Sequence, residues 1–480
     1  MGLTCEDDEV MVPLIVDLDG TLIKSDLMVE SAFQLLRRNV LFLFRMLAWT
    51  VRGKAYLKEQ VARHVQLDPS HIPCNRRFLS FLEQEVERGR PIYLASASDA
   101  RFAVTIAEHF GLFARVLASD GRLNLAGMKK LKAILEATPD GHFDYAGNAR
   151  VDVPIWQRAR HAIVVNPGLG VERAARRCSH VAAVFEDRPA GLRVYLRAIR
   201  VHQWLKNLLI GVPLLTSHSW DNLPAVLSLL SAFVSFSLSA SAMYLLNDLL
   251  DLSADRRHPR KSQRPLASGD LSLVPAVGHM IGLMATGLAL AAMVSPEFLL
   301  ILLLYVGLTI SYSLWFKTFV FLDVIVLASL YTIRILAGTA AIGVALSYWL
   351  FAFSMFLFLS LALVKRCSEL KSMGETGLGM ASGRDYRVTD LPILSGMGVA
   401  AGYLAVLVLA LFVNSPHDLV QYSHPERLWL LCPPMAYWVS RLWIKTSRGE
   451  MHDDPLVYSI RDRASWVSVA AMAAIALASL

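Results

Sequence analysis

Long apolar runs occupy most of the chain after about residue 200, and they constrain its fold more than any other feature. A helix needs about 20 apolar residues to cross the hydrocarbon core of a bilayer, and several runs reach that length. We therefore predict an all-α polytopic membrane domain of about nine transmembrane helices at residues 191–480. The nine apolar segments lie at about 204–217, 223–247, 272–294, 297–315, 320–340, 346–365, 391–413, 427–444 and 464–480.

The earlier part of the chain is different in character, because its short apolar runs and mixed composition are typical of soluble α/β proteins. The whole chain is 55% hydrophobic and 18% charged, which is too apolar for an ordinary soluble protein. We predict a separate domain at residues 1–190. Its first residues are acidic and lack the features of a signal peptide, so we expect this domain to stay in the cytosol.

Charge in the loops of the membrane domain predicts its orientation. The loops after the first, third, fifth and seventh apolar segments hold only one basic residue, Arg427. Cytoplasmic loops are enriched in Lys and Arg, so we predict a multi-pass protein of the inner (cytoplasmic) membrane with its motif-bearing loops in the cytosol. The basic residues after the second, fourth, sixth and eighth segments are Arg256, Arg257, Arg260, Lys261, Arg264, Lys317, Lys365, Arg366, Lys371, Arg384, Arg387, Lys445, Arg448, Arg461 and Arg463.

The net charge of +7 lies mainly in those loops, which favours membrane topology and an anionic substrate over binding to nucleic acid. The five cysteines are scattered and have neither metal-binding nor redox spacing. The sequence leaves a homo-oligomer possible and does not determine the oligomeric state.

An acidic motif follows the second apolar segment, and we call its members Asn247, Asp248, Asp251 and Asp255 the aspartate motif. On a straight helix they fall at about 0°, 100°, 40° and 80°, so they share one face. Carboxylates packed together repel one another, and hard oxygen ligands suit Mg²⁺, which often bridges to phosphates. A helix end that only stops translocation would need Lys and Arg instead. We predict a magnesium–diphosphate site, with phosphate oxygens also held by Arg257, Lys261 and Arg264.

The amino-terminal part carries acidic residues where strands are expected to end. The apolar strand that starts at Pro13 ends in Asp17-Leu-Asp19-Gly-Thr, and open α/β sheets bind ligands at such carboxyl ends. A second strand, 91–99, contains Ser96. Further along lie Lys129 and Lys130 after Gly127, and the run 144–154 with Gly147, Asn148 and Asp152.

These pieces resemble the four motifs of the haloacid dehalogenase (HAD) superfamily of phosphatases, over roughly residues 10–185. The resemblance implies a Rossmann-like sheet with a helical cap at about 27–80. It also implies that Asp17 is the nucleophile, Asp19 the general acid/base, Ser96 and Lys130 (or Lys129) the phosphate-binding residues, and Asp17, Asp19, Asn148 and Asp152 the environment of Mg²⁺. A carboxylate nucleophile that attacks phosphorus needs such a cation.

Two features of this region leave alternatives open. The family's last motif usually begins Gly-Asp, whereas this chain has Gly147-Asn148, and an amide is a weaker magnesium ligand than a carboxylate. The domain is therefore either an active phosphatase whose site binds magnesium more weakly or a degenerate regulatory domain. The apolar piece Val40–Val51, flanked by Arg and Lys, either lies on a bilayer or is a buried helix of the cap.

Nine helices with NDxxDxxxD after the second resemble the UbiA superfamily of intramembrane prenyltransferases, over about residues 195–480. Finer features look like the branch that moves 5-phosphoribose from phosphoribosyl diphosphate (PRPP) to a polyprenyl phosphate such as decaprenyl phosphate. They are the run Arg200–Asn207, Tyr312-Ser313, Asp323, Glu369 and Asp453-Asp454-Pro455. The resemblance implies substrate-binding roles for Gln203, Lys206, Asn207, Tyr312, Lys317, Asp323, Arg334, Lys365 and Arg366.

The charged residues in the apolar segments also have physical interpretations. Asp323 and Arg334 share a face of a straight helix, about 16 Å apart. A buried Arg usually faces a cavity or an anion, here the lipid phosphate, and the alternative is an Arg–Asp pair that locks helices together. Lys206 either reaches a phosphate or extends to lipid headgroups. Lys365 and Glu369 suit a simple i,i+4 pair.

The function expected from these patterns is a two-step membrane enzyme. The membrane domain would transfer 5-phosphoribose from PRPP to a polyprenyl phosphate, and the HAD-like domain would remove the 5-phosphate. The alternative is a UbiA-type prenyltransferase that uses a polyprenyl diphosphate and an aromatic or other small acceptor, with a degenerate or regulatory HAD-like domain. A transporter or lipid-binding scaffold would turn over no diphosphate at all.

Overall fold

The computed structural model describes residues 12–138, 140–189, 191–375, 385–415, 422–451 and 455–479. These residues form two compact units, which are described separately below. The first unit comprises the residues up to 201 together with 244–281, and the second comprises 202–243 together with 282–480. The aspartate motif therefore belongs to the same compact unit as the amino-terminal residues. The division into functional domains at 1–190 and 191–480 stays a prediction.

A parallel sheet of six strands forms the centre of the first unit, as predicted for an α/β region. The strands are β1 (Leu14–Val16), β2 (Ile92–Asp99), β3 (Arg115–Ser119), β4 (Asp144–Gly147), β5 (Ala162–Val165) and β6 (Val181–Phe185). They lie in the order β3-β2-β1-β4-β5-β6, so the chain adds strands first on one side of β1 and then, from β4 onward, on the other. Polar groups at the carboxyl ends of β1 and β4 therefore meet at a topological switch point, where open sheets bind ligands.

Helices cover both faces of this sheet, because alternate side chains of each buried strand point to opposite sides. Leu14 and Val16 pack in a cluster with Phe78 and Phe102, whereas Ile15 packs on the other face in a second cluster. The helices of the first unit before residue 201 are α1 (Leu27–Arg38), α2 (Phe42–Val51), α3 (Lys54–His64), α4 (Arg76–Glu87), α5 (Ala100–Phe110), α6 (Met128–Ala137), α7 (Val153–Trp156), α8 (Val171–Cys178) and α9 (Leu192–Ala198).

Helices joined by turns and loops make up the rest of the chain that the structure describes. A 3₁₀ helix, Val201–Gly211, precedes them, and further 3₁₀ turns lie at Lys261–Gln263, Phe316–Thr318, Val388–Asp390 and Pro425–Leu431. The α-helices are α10 (Val212–Thr216), α11 (Leu223–Leu250), α12 (Leu252–Arg257), α13 (Leu273–Val294), α14 (Pro296–Leu314), α15 (Leu322–Ile342), α16 (Tyr348–Glu375), α17 (Leu391–Val413), α18 (Cys432–Ser447), α19 (Pro455–Arg461) and α20 (Arg463–Ser479).

Six helical segments in the described ranges are long and apolar enough to cross a membrane, which makes the chain an integral membrane protein. They are Leu223–Leu250, Leu273–Val294, Pro296–Leu314, Leu322–Ile342, Tyr348–Gly374 and Val388–Val413. The other three predicted segments are helical but differ from full spans. The first and eighth begin as 3₁₀ helix, and α20 has 17 residues. The count of nine transmembrane helices therefore stays a prediction.

Small residues let elements of the second unit approach closely. A Cβ on Gly338 of α15 would lie 2.1 Å from the carbonyl oxygen of Ile210. Any larger residue at this position would therefore clash with the 3₁₀ helix. A Cβ on Gly398 of α17 would meet the ring of Trp443 at 2.1 Å. The close approach at Gly338 brings the 3₁₀ helix against α15, which carries a buried arginine described below.

A buried ion pair joins α1 to α12 within the first unit. Arg256 Nη1 lies 2.8 Å from Glu30 Oε1, and its Nη2 donates to Ser25 Oγ at 3.1 Å. Ser25 in turn donates to Glu30 Oε2 at 2.7 Å, and all three residues are buried. Arg256, the residue after Asp255 of the aspartate motif, is thus fixed to α1. This helix follows the loop that contains Asp17-Leu-Asp19-Gly-Thr, the DxDGT loop.

This pair makes the stability of the first unit sensitive to Glu30. Removing one partner of a buried ion pair costs about 3–5 kcal/mol, because the other charge remains buried. Glu30→Ala should therefore clearly lower the thermal unfolding midpoint of the purified chain in mild detergent. The control is Glu172→Ala, which removes an exposed i,i+4 pair with Arg176 worth less than about 1 kcal/mol. Equal midpoints for the two variants would contradict the structural role of the buried pair.

Candidate active sites

The first candidate site, the amino-terminal carboxylate site, consists of Asp17, Asp19 and Asp152. Asp17 follows β1, and Lys130 at the start of α6 places Nζ 2.7 Å from its Oδ1. Burial opposes the protonation of Lys130, but Asp17 and Asp152 outweigh it and raise the pKa of the amine. The neighbouring Lys129 is exposed. Of the two lysines left open by the sequence, the geometry therefore favours Lys130.

Asp19 accepts hydrogen bonds through both oxygens. The backbone N–H of Leu27, at the start of α1, donates to Oδ1 at 2.9 Å, and Ser98 Oγ donates to Oδ2 at 2.6 Å. Burial and the nearby carboxylate of Asp26 raise the pKa of Asp19 to about 7. A carboxyl group that titrates near neutral pH is suited to donate and accept protons in turn.

Asp152 is held by three donors. Tyr145 donates its hydroxyl to Oδ1 at 2.9 Å, and the backbone N–H groups of Asn148 and Ala149 donate to Oδ2 at 3.1 and 3.0 Å. Burial and then the negative charge of Asp17 raise the pKa of Asp152 to about 6. The two carboxylates therefore lie close enough to repel each other, across the ends of β1 and β4.

Asn148 and Ser96 lie at the same edge of the sheet. A Cβ on Gly20, which has φ +79°, would lie 2.1 Å from Nδ2 of Asn148, so the loop after β4 packs directly on the DxDGT loop. Ser96 is buried on β2, and its Oγ accepts from the backbone N–H of Ser98 at 3.0 Å. The predicted residues of this site are thus brought together.

Two residues near this site were missed by the sequence analysis. Ser98, which donates to Asp19, has a signal in the sequence, because it follows Ser96 by two positions and so shares its face of the strand. Lys58 of α3 has none. Its Nζ donates to the carbonyl of Ala97 at 2.6 Å, and burial lowers its pKa although Asp19 and Asp26 favour the charged form. Only the folded position of α3 brings this lysine to the site.

The second candidate site surrounds the aspartate motif, where α11 ends at Leu250 and α12 begins at Leu252. Asp248 and Asp255 are buried, and both contact a single nitrogen, Nη1 of Arg264, at 3.0 and 2.5 Å. Arg200 also binds Asp248, and it stacks on the ring of Tyr244. Burial raises the pKa of Asp255 against the effect of Arg264.

The predicted common face of the four motif residues spans the junction of α11 and α12. The backbone at Asp251 departs from ideal helix values, with φ −94° and ψ 6°. Helical hydrogen bonds nevertheless continue across the junction, because the N–H of Asp251 donates to the carbonyl of Asn247 at 2.9 Å and the N–H of Asp255 donates to the carbonyl of Asp251 at 2.8 Å. Asp251 pairs with Arg37 of α1 at 3.2 Å. Asn247 is half-buried one turn earlier on α11. Arg264 thus joins Asp248 and Asp255, and Asp251, one helical turn from Asn247 and from Asp255, pairs with Arg37.

The predicted basic residues also differ in their contacts, because only one of them binds the aspartate motif. Arg264 contacts the aspartate motif, whereas Arg257 pairs with the exposed Asp68 at 3.2 Å, and Lys261 lies exposed in a 3₁₀ turn. Arg200, at the start of the 200–207 run, is a residue of this site that the sequence analysis does not predict. An arginine so close to a span is the signal that marks it as a partner of buried carboxylates.

In the second unit, a buried arginine lies among aromatic rings. Arg334 of α15 donates through Nε to Asn207 Oδ1 at 2.9 Å. Its guanidinium carbon lies 5.4, 5.2 and 5.5 Å from the ring centroids of Phe236, Tyr305 and Tyr331. Among the residues that the structure describes, none of its partners is a carboxylate. Lys206 is nearby, with Nζ 5.5 Å from the Tyr331 ring.

Asp323 has a different environment from Arg334. It is fully buried and accepts from Arg366 and from the hydroxyl of Tyr386, while Arg366 also binds Glu369. An Arg–Asp pair that joins two helices is therefore present, but it is formed by Asp323 of α15 with Arg366 of α16 and does not include Arg334. The remaining predicted residues are Gln203, half-buried in the 3₁₀ helix, Tyr312 near the end of α14, Lys317 in the turn after it and Lys365 on α16. Arg384, Asp453 and Asp454 lie outside the described residues.

Comparison with known proteins identifies the family. A model of the UbiA prenyltransferase family matches residues 208–469, which is more than half of the chain. The chain belongs to the UbiA prenyltransferase family. This match begins after the amino-terminal sheet, so the HAD-like identity of that region stays a prediction.

Three relatives illustrate the range of similar proteins. An uncharacterized protein, y4nM, of Sinorhizobium fredii is 35% identical over 97% of this chain and 90% of its own length. Nodulation protein NoeC of Azorhizobium caulinodans is 38% identical over 58% of this chain and 91% of its own. The decaprenyl-phosphate phosphoribosyltransferase of Mycolicibacterium smegmatis is 33% identical over 56% of this chain and 86% of its own. A solved UbiA homolog from Archaeoglobus fulgidus, bound to GPP and Mg²⁺, is 20% identical over 59% of this chain and 99% of its own, with a TM-score of 0.44.

The donor groups of this UbiA family member fit a divalent cation at the aspartate motif, although they do not form a complete centre. Among the described residues, no three Asp, Glu, His or Cys side chains converge as a metal cluster. Asp248 and Asp255 nevertheless share one arginine nitrogen, so one cation reaches both. Buried carboxylate oxygens are the ligands that Mg²⁺ prefers. At the amino-terminal carboxylate site, the repulsion between Asp17 and Asp152 favours a bound cation in the same way.

These two metal environments can be separated by Mn²⁺, which takes the same oxygen ligands as Mg²⁺ and gives an EPR signal when free. With diphosphate present, Asp248→Asn together with Asp255→Asn should lose one class of bound Mn²⁺ and keep the other. Asp17→Asn should lose the other class. The control is Asp221→Asn, an exposed aspartate outside both sites. Unchanged Mn²⁺ binding in the Asp248/Asp255 double variant would exclude these residues as ligands.

Proposed function

We propose that the chain transfers 5-phosphoribose from PRPP to a polyprenyl phosphate such as decaprenyl phosphate, and that its amino-terminal domain then removes the 5-phosphate. The observation that carries the proposal is the pair of buried carboxylates, Asp248 and Asp255, gathered with Arg200 and Arg264 at the end of a membrane span. Two acidic and two basic side chains suit a diphosphate with its cation. The similarity to a decaprenyl-phosphate phosphoribosyltransferase supports this choice of donor and acceptor.

In the transfer step, a phosphate oxygen of the lipid forms a bond to C1 of the ribose as the bond from C1 to the diphosphate breaks. Arg200 and Arg264 would stabilise the negative charge on the departing diphosphate. Mg²⁺, when bound by Asp248 and Asp255, would offset part of the same charge. Asn247 and Asp251 stand as further proposed ligands of the cation, and Arg257 and Lys261 stand as further proposed contacts to the donor.

Arg334 is the residue that would bind the phosphate of the lipid substrate. A buried guanidinium without a carboxylate partner in the described structure is an anion site, because a charge inside an apolar unit needs compensation. Asn207, the carbonyl of Leu330 and the hydroxyl of Tyr305 accept hydrogen bonds from it, and three aromatic rings add cation–π contacts, but none of these partners carries a negative charge. Lys206 is a second proposed contact. The tail of a polyprenyl phosphate would lie among the apolar spans.

In the phosphatase step, a carboxylate oxygen of Asp17 attacks the 5-phosphate, and the bond from phosphorus to the ribose oxygen breaks. Asp19, with its raised pKa, would give its proton to that oxygen and then take one from the water that hydrolyses the aspartyl-phosphate. Lys130 balances the charge of Asp17, and Asp152 with Asn148 would hold the cation. Ser96 would donate to the phosphoryl oxygens.

The geometry of the first unit supports two consecutive steps on one chain. Helix α1 begins at Leu27, whose N–H binds Asp19, and ends near Arg37, which pairs with Asp251. Ten residues of α-helix span about 15 Å, so the two proposed centres lie at opposite ends of one short helix. Placement in the inner membrane, with both centres in the cytosol beside soluble PRPP, is part of the proposal.

The choice of substrate can be tested with purified chain in lipid nanodiscs that contain decaprenyl phosphate. With PRPP and Mg²⁺, mass spectrometry should detect a ribosylated lipid phosphate, and Asp248→Asn should reduce its formation at least a hundredfold. Asp221→Asn is the matched control. Formation of a prenylated aromatic product from a prenyl diphosphate, with no ribosylated lipid from PRPP, would overturn the proposal in favour of the alternative prenyltransferase.

The phosphatase step can be tested with the two adjacent lysines. Lys130→Met should make the 5-phosphorylated lipid accumulate, because Asp17 loses the amine that balances its charge, and Lys129→Met should not. Asp17→Asn should give the same accumulation as Lys130→Met, while PRPP consumption continues. If wild type and Asp17→Asn yield identical lipids and neither releases phosphate, the domain is degenerate, and Asn148 is its most obvious departure from the HAD pattern.

A further inference from the structure

Helix α2 exposes an apolar face that the proposed chemistry does not use. Its inner side packs normally, because Phe42, Met46 and Trp49 join a small cluster with Leu35 and Val61. Its outer side carries further large apolar side chains within one ten-residue helix. Leu43, Phe44, Leu47 and Val51 are 43%, 66%, 59% and 88% exposed.

Such a face differs from the scattered apolar residues of ordinary protein surfaces. Single exposed leucines are common, but a contiguous apolar patch marks a contact with a partner or a membrane. At about 100° per residue, Phe44, Leu47 and Val51 fall within about 60° of one another around the helix axis. The patch is therefore a continuous strip along one side of α2.

The position of α2 identifies the partner. Helix α1 is fixed to the end of span α11, because Arg37 pairs with Asp251 at 3.2 Å and Gln34 donates to Ser253 at 2.7 Å. Asp251 directly follows that span and so lies near a membrane surface. Helix α2 begins five residues after Arg37, and five residues extend at most about 17 Å. The apolar strip is thus held within a short distance of the bilayer in which the chain is inserted.

The charge around α2 fits the same partner. Arg38, Arg45, Arg52 and Lys54 are exposed beside or within the helix, and none of the ten residues Phe42–Val51 is acidic. Interfacial helices place an apolar face among the acyl chains and basic residues near anionic headgroups. We propose that α2 lies in the headgroup region of the chain's own membrane, with Phe44, Leu47 and Val51 inserted toward the acyl chains.

This contact gives the first unit a further attachment to the membrane, besides the spans α11 and α13, and it is independent of catalysis. The proposal holds whichever diphosphate the chain uses, so a failure of the proposed function leaves it standing.

The test measures the depth of a nitroxide label on the full chain. Phe44→Cys and Leu47→Cys are made after the native cysteines are replaced by serine, labelled, and inserted into nanodiscs that hold one chain each with phosphatidylglycerol and phosphatidylcholine. EPR power saturation then compares collisions with oxygen, which concentrates in lipid, and with a water-soluble nickel chelate. The control label is Glu83→Cys, an exposed site on α4 of the same unit.

Labels at residues 44 and 47 should collide more with oxygen than with nickel, and the label at residue 83 should show the reverse. Replacing phosphatidylglycerol with neutral lipid should reduce the difference, because the basic residues lose their anionic partners. Nickel accessibility at residues 44 and 47 equal to that at residue 83 would show that the strip faces water and would overturn the proposal. Protection from both reagents would also overturn it, since another protein segment would then cover the strip.

Discussion

Buried carboxylates held by buried or half-buried arginines are the interaction on which this structure depends. Arg264 gathers Asp248 and Asp255, Arg256 binds Glu30, and Arg366 binds Asp323. Each pair removes charges from water at a cost of several kcal/mol, which only good geometry and further hydrogen bonds offset. Such pairs are poor sources of stability, but they fix positions. In the first unit they hold the aspartate motif and the helix after the DxDGT loop in one compact body, which is the arrangement that the proposed two-step function requires.

Much of the fold could be predicted because it depends on periodicity. The parallel sheet follows from short apolar strands that end in polar motifs, and the long spans follow from hydropathy alone. The motifs at Asp17, Ser96, Lys130 and Asp152 could be predicted to meet, because the carboxyl ends of neighbouring parallel strands share one edge. Three shorter apolar segments show the limit of this reasoning. Their composition resembles that of the spans, but two of them begin as 3₁₀ helix and the third has 17 residues, so the count of nine stays a prediction.

The partners of charged side chains could not be predicted in the same way. Asp323 and Arg334 share a helix face, yet Asp323 binds Arg366 of another helix and Arg334 binds Asn207, because tertiary packing decides which charges meet. Asp251 pairs with Arg37 of α1, which lies more than 200 residues earlier in the sequence. Lys58 reaches the amino-terminal carboxylate site only through the folded position of α3. These differences all depend on contacts between elements distant in sequence, which a single sequence does not record.

The central claim, that one chain transfers a phosphoribosyl group and then removes its phosphate, can be tested by a double-label measurement. PRPP carrying ¹⁴C in the ribose and ³²P at the 5-phosphate is supplied to the wild-type chain with decaprenyl phosphate and Mg²⁺. The account predicts that ¹⁴C accumulates in the lipid while ³²P first enters the lipid and then appears as inorganic phosphate. Both labels retained in the lipid at a constant ratio would contradict the second step, and neither label in the lipid would contradict the account as a whole.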